Sequence, residues 1–203
     1  NPIKKHGFKT TPELYARWMQ FATFSPLLRP HSGEEQACEP FAFDARTEEI
    51  ASAYVRLRYR LLPFIYSYAH RTWTTGEGLV QPLFFQWPED PRTYGLDYQY
   101  LFGRELRGAP VFGQGEMSQP VYLPGGSAQA WVDFWTDRVH SGGRTILAEA
   151  PPDRIPLFVR RPSILPLAAV KNWSDESPDD DLTLRVYPGG QTEFALYEDD
   201  GAS

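Results

Sequence analysis

The sequence predicts an α/β region with the marks of an α/β barrel rim, followed by an all-β region, an antiparallel β-sandwich. Three observations carry this. Residues 11–31 combine a capped amphipathic helix, an aromatic-rich turn and a strand-like run ending in Arg29-Pro30-His31. A basic imidazole delivered at the end of a strand suits the rim of an α/β barrel, where ligands are bound. Residues 44–73 show a second, longer helical pattern, and beyond Gly103 short apolar runs alternate with Gly/Pro turns at the spacing of an antiparallel sandwich.

The elements follow in order. Thr11-Pro12-Glu13 is a helix start, with a hydroxyl N-cap, Pro at the first helical position and an acid in the first turn. Leu14, Trp18 and Ala22 share one face, flanked by Tyr15 and Met19, and Ser25-Pro26 ends the helix. Residues 32–43 read as a loop. Asp44 or Thr47 caps the second helix, whose apolar stripe is Ile50, Tyr54, Leu57, Leu61 and Ile65. Arg56, Arg58 and Arg60 fall mostly on its other side, as a solvated face or an interdomain salt-bridge seam. Pro63 removes a backbone donor and predicts a kink near Tyr59. Residues 75–78 supply the stop.

Residues 79–87 read as a short strand buried on both sides, as in a parallel sheet. Leu96–Phe102 is expected to be a short helix. Strands are then expected at residues 109–111, 120–123, 130–134, 145–148, 155–159 and 164–167. A polar acidic stretch, 172–181, resembles a linker. Residues 182–187 and 193–197 read as a hairpin over Pro188-Gly189-Gly190, and Asp199-Asp200-Gly201 as a turn.

Composition narrows the function classes. The 203 residues are 41% hydrophobic and 15% aromatic, enough for a substantial core. Most of the six tryptophans are expected inside, although aromatic rings also form the platforms on which sugars stack. A net charge of −6 argues against a nucleic-acid partner, which needs a positive face. Cys38 alone can form no internal disulfide or cysteine-based metal cluster. His6, His31, His70 and His140 lack ligand spacing. No run of about 18 apolar residues suggests a membrane span, and the N-terminus lacks the apolar segment of a signal peptide. The compartment stays open, with the cytoplasm preferred; the oligomeric state is open.

Nine stretches in order carry a resemblance: PELYARWMQFATFSPLLRPH, EPF, LRYRLLPFIY, QPLFFQWPED, YQYLFGRELRGAPV, VYLP, WVDFWT, IPLFVRRPSILPL and LYEDDG. Over residues 12–201 the chain resembles the C-terminal part of glycoside hydrolase family 31, the α-glucosidases and α-xylosidases. The resemblance implies a retaining α-glycosidase with no cofactor and a carbohydrate substrate. It makes the α/β region the last units of a (β/α)8 barrel and divides the chain into the end of that barrel (1–106), a proximal sandwich (107–172) and a linker with the first strands of a distal sandwich (173–203). Members use one Asp as nucleophile and another as acid/base, both upstream of the helix that opens this chain. A complete barrel needs about 250 residues, so the resemblance implies either a fragment or a degenerate relative. The glycine-rich stretch usual before the helix is reduced to Gly7-Phe8.

The resemblance places His31 in substrate contact. A neutral imidazole offers one donor and one acceptor, matching a hydroxyl that can do both. Arg29, beside it, is a second candidate for substrate binding or for pairing with a carboxylate that holds the loop. Glu39 and Asp44 are the carboxylates nearest in sequence, read as a loop salt bridge and a helix cap. No catalytic residue and no metal ligand is therefore assigned within the chain. Asp133 is read as structural, and Trp18, Tyr54 and Tyr59 as packing residues; Trp87 is weighed for the barrel mouth against packing. The rival reading is a non-catalytic carbohydrate-binding or structural module. Sugar and linkage specificity, and hydrolysis against transglycosylation, stay open.

Overall fold

Three helices pack on one face of an antiparallel sheet whose other face is covered by a β-hairpin-like pair. The structure, a computed structural model, describes residues 10–31, 38–174, 176 and 181–200. His6, Gly7-Phe8, residues 32–37 of the expected loop, part of the expected linker and Gly201 lie outside the described residues.

Helix α1 spans Pro12–Thr23, and the Thr11 hydroxyl accepts the Leu14 N–H at 3.2 Å. Its buried face differs from the expected one. Tyr15, Ala16, Arg17, Met19, Gln20 and Thr23 point inward, while Leu14, Trp18 and Phe21 are exposed. The reason is that the polar members find partners: the two Arg17 Nη groups donate to the carbonyls of Ala150, Glu116, Pro151 and Arg154 at 2.8–3.1 Å, leaving Nε unpaired among the described residues. Gln20 donates to Pro152 O at 2.7 Å. Such pairing removes the penalty that would keep these groups in water.

Helix α2 spans Ala45–Arg60, capped by Asp44, whose Oδ1 accepts the Thr47 N–H at 2.7 Å. Helix α3 spans Leu62–Thr75. The expected kink is a complete break: Leu61 leaves helical geometry, and Pro63 becomes the second residue of a new helix, where its missing N–H has no partner to lose. Gly76 ends α3 in the left-handed conformation, φ 77°, donating to Thr72 O at 2.9 Å.

The strands are β1 (Val80–Pro82), β2 (Tyr100–Phe102), β3 (Leu106–Gly108), β4 (Ser118–Leu123) and β5 (Ala130–Asp133). They continue with β6 (Val139–Ser141), β7 (Arg144–Glu149), β8 (Leu157–Arg161), β9 (Ser163–Leu167) and β10 (Thr183–Tyr187). Six form one sheet in the order β1-β2-β3-β8-β5-β6; β4 pairs with β7 and β9 with β10, all antiparallel. Alternation along the large sheet separates two cores. Phe102, Leu106, Val132, Leu157 and Val159 join Phe24, Ile50, Tyr54, Leu61 and Phe64 of the helical part. Leu101, Trp131 and Phe158, on the other face, meet Val121, Leu123 and Ala148 of the β4–β7 pair.

Several local expectations are corrected. Residues 79–87 are not a parallel strand buried on both faces. Only Val80–Pro82 is a strand, it is antiparallel at the sheet edge, and a 3-10 turn at Leu83–Phe85 follows. Residues 100–102 are strand, not helix, because they complete the ladder between β1 and β3. Residues 109–111 form no strand. Residues 193–197 do not pair with β10, which pairs with β9 instead. Their side chains go to α3: Phe194 stacks on Phe64 at 5.5 Å and Tyr197 on His70 at 3.7 Å. Of the six tryptophans only Trp131 is sealed; Trp18, Trp73 and Trp173 are more than half exposed.

Candidate substrate site at the end of the first helix

The chain leaves α1 through Phe24-Ser25-Pro26 and runs to His31 without regular structure. The expected strand at residues 27–31 is absent among the described residues. A barrel strand exists only with neighbours to complete its ladder, and none lies beside this segment; Leu27 is 85% exposed. Leu28 is the exception, packing against Tyr15, Met19, Ala51, Phe43 and Val55 between α1 and α2.

This segment forms one wall of a cleft of about 300 Å³. Arg29, Pro30 and His31 lie on that wall; Tyr15, Trp18 and Phe43 supply aromatic surface, and Thr10 and Cys38 polar edges. Tyr15 and Phe43 stack with centroids 4.3 Å apart, and the Tyr15 hydroxyl donates to Cys38 O at 2.8 Å. Burial pushes the Tyr15 hydroxyl pKa up, with the Cys38 thiol and Glu39 adding to it, so the phenol is a neutral donor. Arg29 and His31 are both exposed, and among the described residues neither has a hydrogen-bond or ion-pair partner. The carboxylate pairing considered for Arg29 is therefore not formed there.

The nearby carboxylates are occupied elsewhere. Asp44 is the α2 cap, its pKa lowered by the backbone N–H of Thr47. Glu39 is exposed and accepts the Cys38 N–H at 3.1 Å. Asp133 closes the turn after β5, accepting the N–H groups of Trp135 and Thr136 at 2.9 Å. Trp87 leans on Trp131 at 5.8 Å within the sandwich. Asp199 accepts from the Tyr66 hydroxyl. Among the described residues no group of three or more His, Cys, Asp or Glu could hold a metal ion, and no helix is long and apolar enough to cross a membrane.

Two arginines that hold this region were not singled out from the sequence. Arg58 belongs to the run read as a solvated face or salt-bridge seam, yet its guanidinium donates to Thr23 O, Ser25 O and Pro26 O at 3.0, 2.6 and 2.7 Å. The signal was available: Arg58 lies four residues after Tyr54 and seven after Ala51, on the buried stripe of α2. For Arg17 no comparable signal exists, since Arg17, Gln20 and Thr23 read as a polar face.

Residues 6–68 match the model of the glycosyl hydrolases family 31 TIM-barrel domain, and residues 76–165 that of the glycosyl hydrolase family 31 C-terminal domain. The chain belongs to glycosyl hydrolase family 31. Relatives include an alpha-xylosidase of Saccharolobus solfataricus, 40% identical over 193 residues, or 95% of this chain and 26% of the relative. Alpha-glucosidase 2 of Bacillus thermoamyloliquefaciens is 37% identical over 95% of this chain and 24% of the relative. Among solved structures, a family 31 dextranase of Flavobacterium johnsoniae complexed with glucose superposes with a TM-score of 0.88. It is 38% identical over 94% of this chain and 24% of that one. The chain thus spans about a quarter of the length of these relatives. The fold class is that expected: barrel-end elements, then the antiparallel C-terminal part of family 31.

Proposed function

We propose that the chain supplies the closing units of the barrel, and the β domains after it, in a retaining α-glycosidase acting on terminal α-glucosyl or α-xylosyl residues. One observation carries the reading beyond family membership. Arg29 and His31 stand exposed and without partners among the described residues, on the wall of a cleft with aromatic surface. The imidazole of His31 would hydrogen-bond a sugar hydroxyl, and the Arg29 fork would donate to a second oxygen.

Retaining hydrolysis needs two carboxyl groups about 5–5.5 Å apart, one protonating the leaving oxygen and one attacking the anomeric carbon to form a covalent glycosyl-enzyme. Asp44 and Glu39 are engaged with backbone N–H groups. The resemblance to family 31 puts both reactive carboxylates on polypeptide upstream, so the chain alone would be inactive. The division we favour puts the barrel part before Gly76, since β1 and β2 share the ladder of β3 and β8. The proximal sandwich would run to Asn172, with the start of a distal one after it.

The test is an assay of the chain alone on aryl α-glucosides and α-xylosides, beside the complete enzyme that carries it. Background hydrolysis by the chain and turnover by the enzyme are expected. In the enzyme, His31→Ala should lower kcat/KM by about 100-fold, the scale of a lost positioning contact. Turnover by the chain that disappears in Glu39→Gln would overturn the assignment of the carboxylates.

A further inference from the structure

The segment that carries His31 has almost nothing of its own to hold it. Between Pro26 and His31 there is no helix or strand, and Leu28 alone packs into a buried cluster. Its starting point, in contrast, is gripped. The last carbonyls of a helix have no partner within the helix. At the end of α1, Thr23 O, Ser25 O and Pro26 O converge on one guanidinium, that of Arg58, with Ala22 O at the limit of reach at 3.5 Å. Arg58 is half-buried and among the described residues has no carboxylate partner; burial lowers its pKa. Its charge is met by these carbonyls, of which Thr23 O, the last of α1, lies at the negative end of the helix dipole. The Thr23 hydroxyl, donating to Met19 O at 2.9 Å, ties the same corner down.

We propose that Arg58 is a positioning residue for substrate binding: its planar fork fixes the exit direction of the chain from α1 and thereby the place of His31. The proposal rests on the reading of His31 as a substrate contact. A guanidinium can reach the carbonyls of Thr23, Ser25 and Pro26 together because its N–H groups diverge in one plane; a lysine ammonium is a point charge that can satisfy them only in part.

The experiment is a double-mutant cycle in the complete enzyme, with kcat and KM measured for an aryl α-glycoside in Arg58→Met, His31→Ala and the double variant. Arg58→Met is expected to lower kcat/KM by about 10–100-fold, the scale set by misplacing a binding group by about 1 Å. The double variant should be no worse than His31→Ala, because the fork has nothing left to position. Multiplying losses would overturn the proposal, showing that Arg58 acts on the fold independently of His31. If His31→Ala leaves kcat/KM unchanged, the substrate-contact reading itself fails, and this proposal with it. Arg58→Lys guards against a variant that does not fold. It should keep the wild-type melting transition while raising KM; a folded Arg58→Lys enzyme with wild-type KM would overturn the proposal.

Discussion

The helical part and the sandwich are built of similar residues but finished differently. In the sandwich, Trp131, Phe158 and Leu123 are sealed between the six-stranded sheet and the β4–β7 pair. In the helical part, Phe24, Ile50 and Phe64 are sealed in the core shared with the sheet, while Trp18, Phe21, Leu27 and Trp73 stay exposed. The helices owe their interior to the sheet, whereas the sandwich closes on itself. Each region also buries an arginine. Arg17 meets four carbonyls and leaves Nε alone unpaired; Arg107, in β3, points between the two sheets, where Nη2 donates to Gln99, the Trp131 ring lies 5.9 Å away, and Nε and Nη1 find no acceptor among the described residues. Burial pushes the Arg107 pKa down to about 9.

The contrast can be broken in four ways. The largest effect should come from the sealed tryptophan: Trp131→Ala is expected to cost about 3–5 kcal/mol. Trp18→Ala, at a side chain 60% exposed, should stay within about 0.5 kcal/mol. Chemical denaturation of both variants measures this, and equal losses would erase the distinction. Next, Arg17→Met should cost about 3 kcal/mol, since four carbonyls at the joint between α1 and residues 116–154 lose their donor. Arg107→Met should act in the opposite sense, stabilising by about 1–3 kcal/mol, because an under-paired charge in an apolar core is replaced by a long unbranched apolar side chain. A loss of stability in that variant would show that Arg107 is better satisfied than its contacts indicate.

The smallest effect is electrostatic. Burial alone would raise the Glu77 carboxyl, but hydrogen bonds from Arg104, Arg71 and Gln81 outweigh it and hold it at about 2, against an ordinary 4.5. A depressed carboxyl stabilises the fold fully above its unfolded pKa and loses that contribution as pH falls towards its folded one. Glu77→Gln is therefore expected to cost about 1 kcal/mol at neutral pH, with partly exposed partners limiting the value. The melting-temperature gap to wild type should shrink between pH 4.5 and 2. A gap independent of pH would mean that Glu77 acts through shape alone.

What could be read in advance follows from the range of the interactions. The caps at Thr11, Asp44 and Gly76 depend on neighbours three or four residues away, and all three are present. The elements that escaped depend on distant partners. The polar face of α1 is interior because carbonyls more than 90 residues away meet it. The apolar run at 79–87 is an edge strand and a 3-10 turn because β2, not a parallel neighbour, comes alongside. Pro63 was visible, but whether it bends or divides a helix depends on the buried Leu61 beside it. The expectation for His31 rests on an ordered set of sequence matches alone, whereas the guanidinium that holds its segment lies in plain helical register with the buried Ala51 and Tyr54.

Gly103, in the turn from β2 to β3, has φ +65°, and a Cβ there would sit 2.5 Å from the Phe64 ring and 2.7 Å from that of Tyr68. Helix α3 can lie flush on the sheet only because this corner is bare. Chimeras that join the helices of one relative to the β half of another would accordingly dock only when the donor brings an equally bare corner, so two halves that look exchangeable are matched through a single missing methyl.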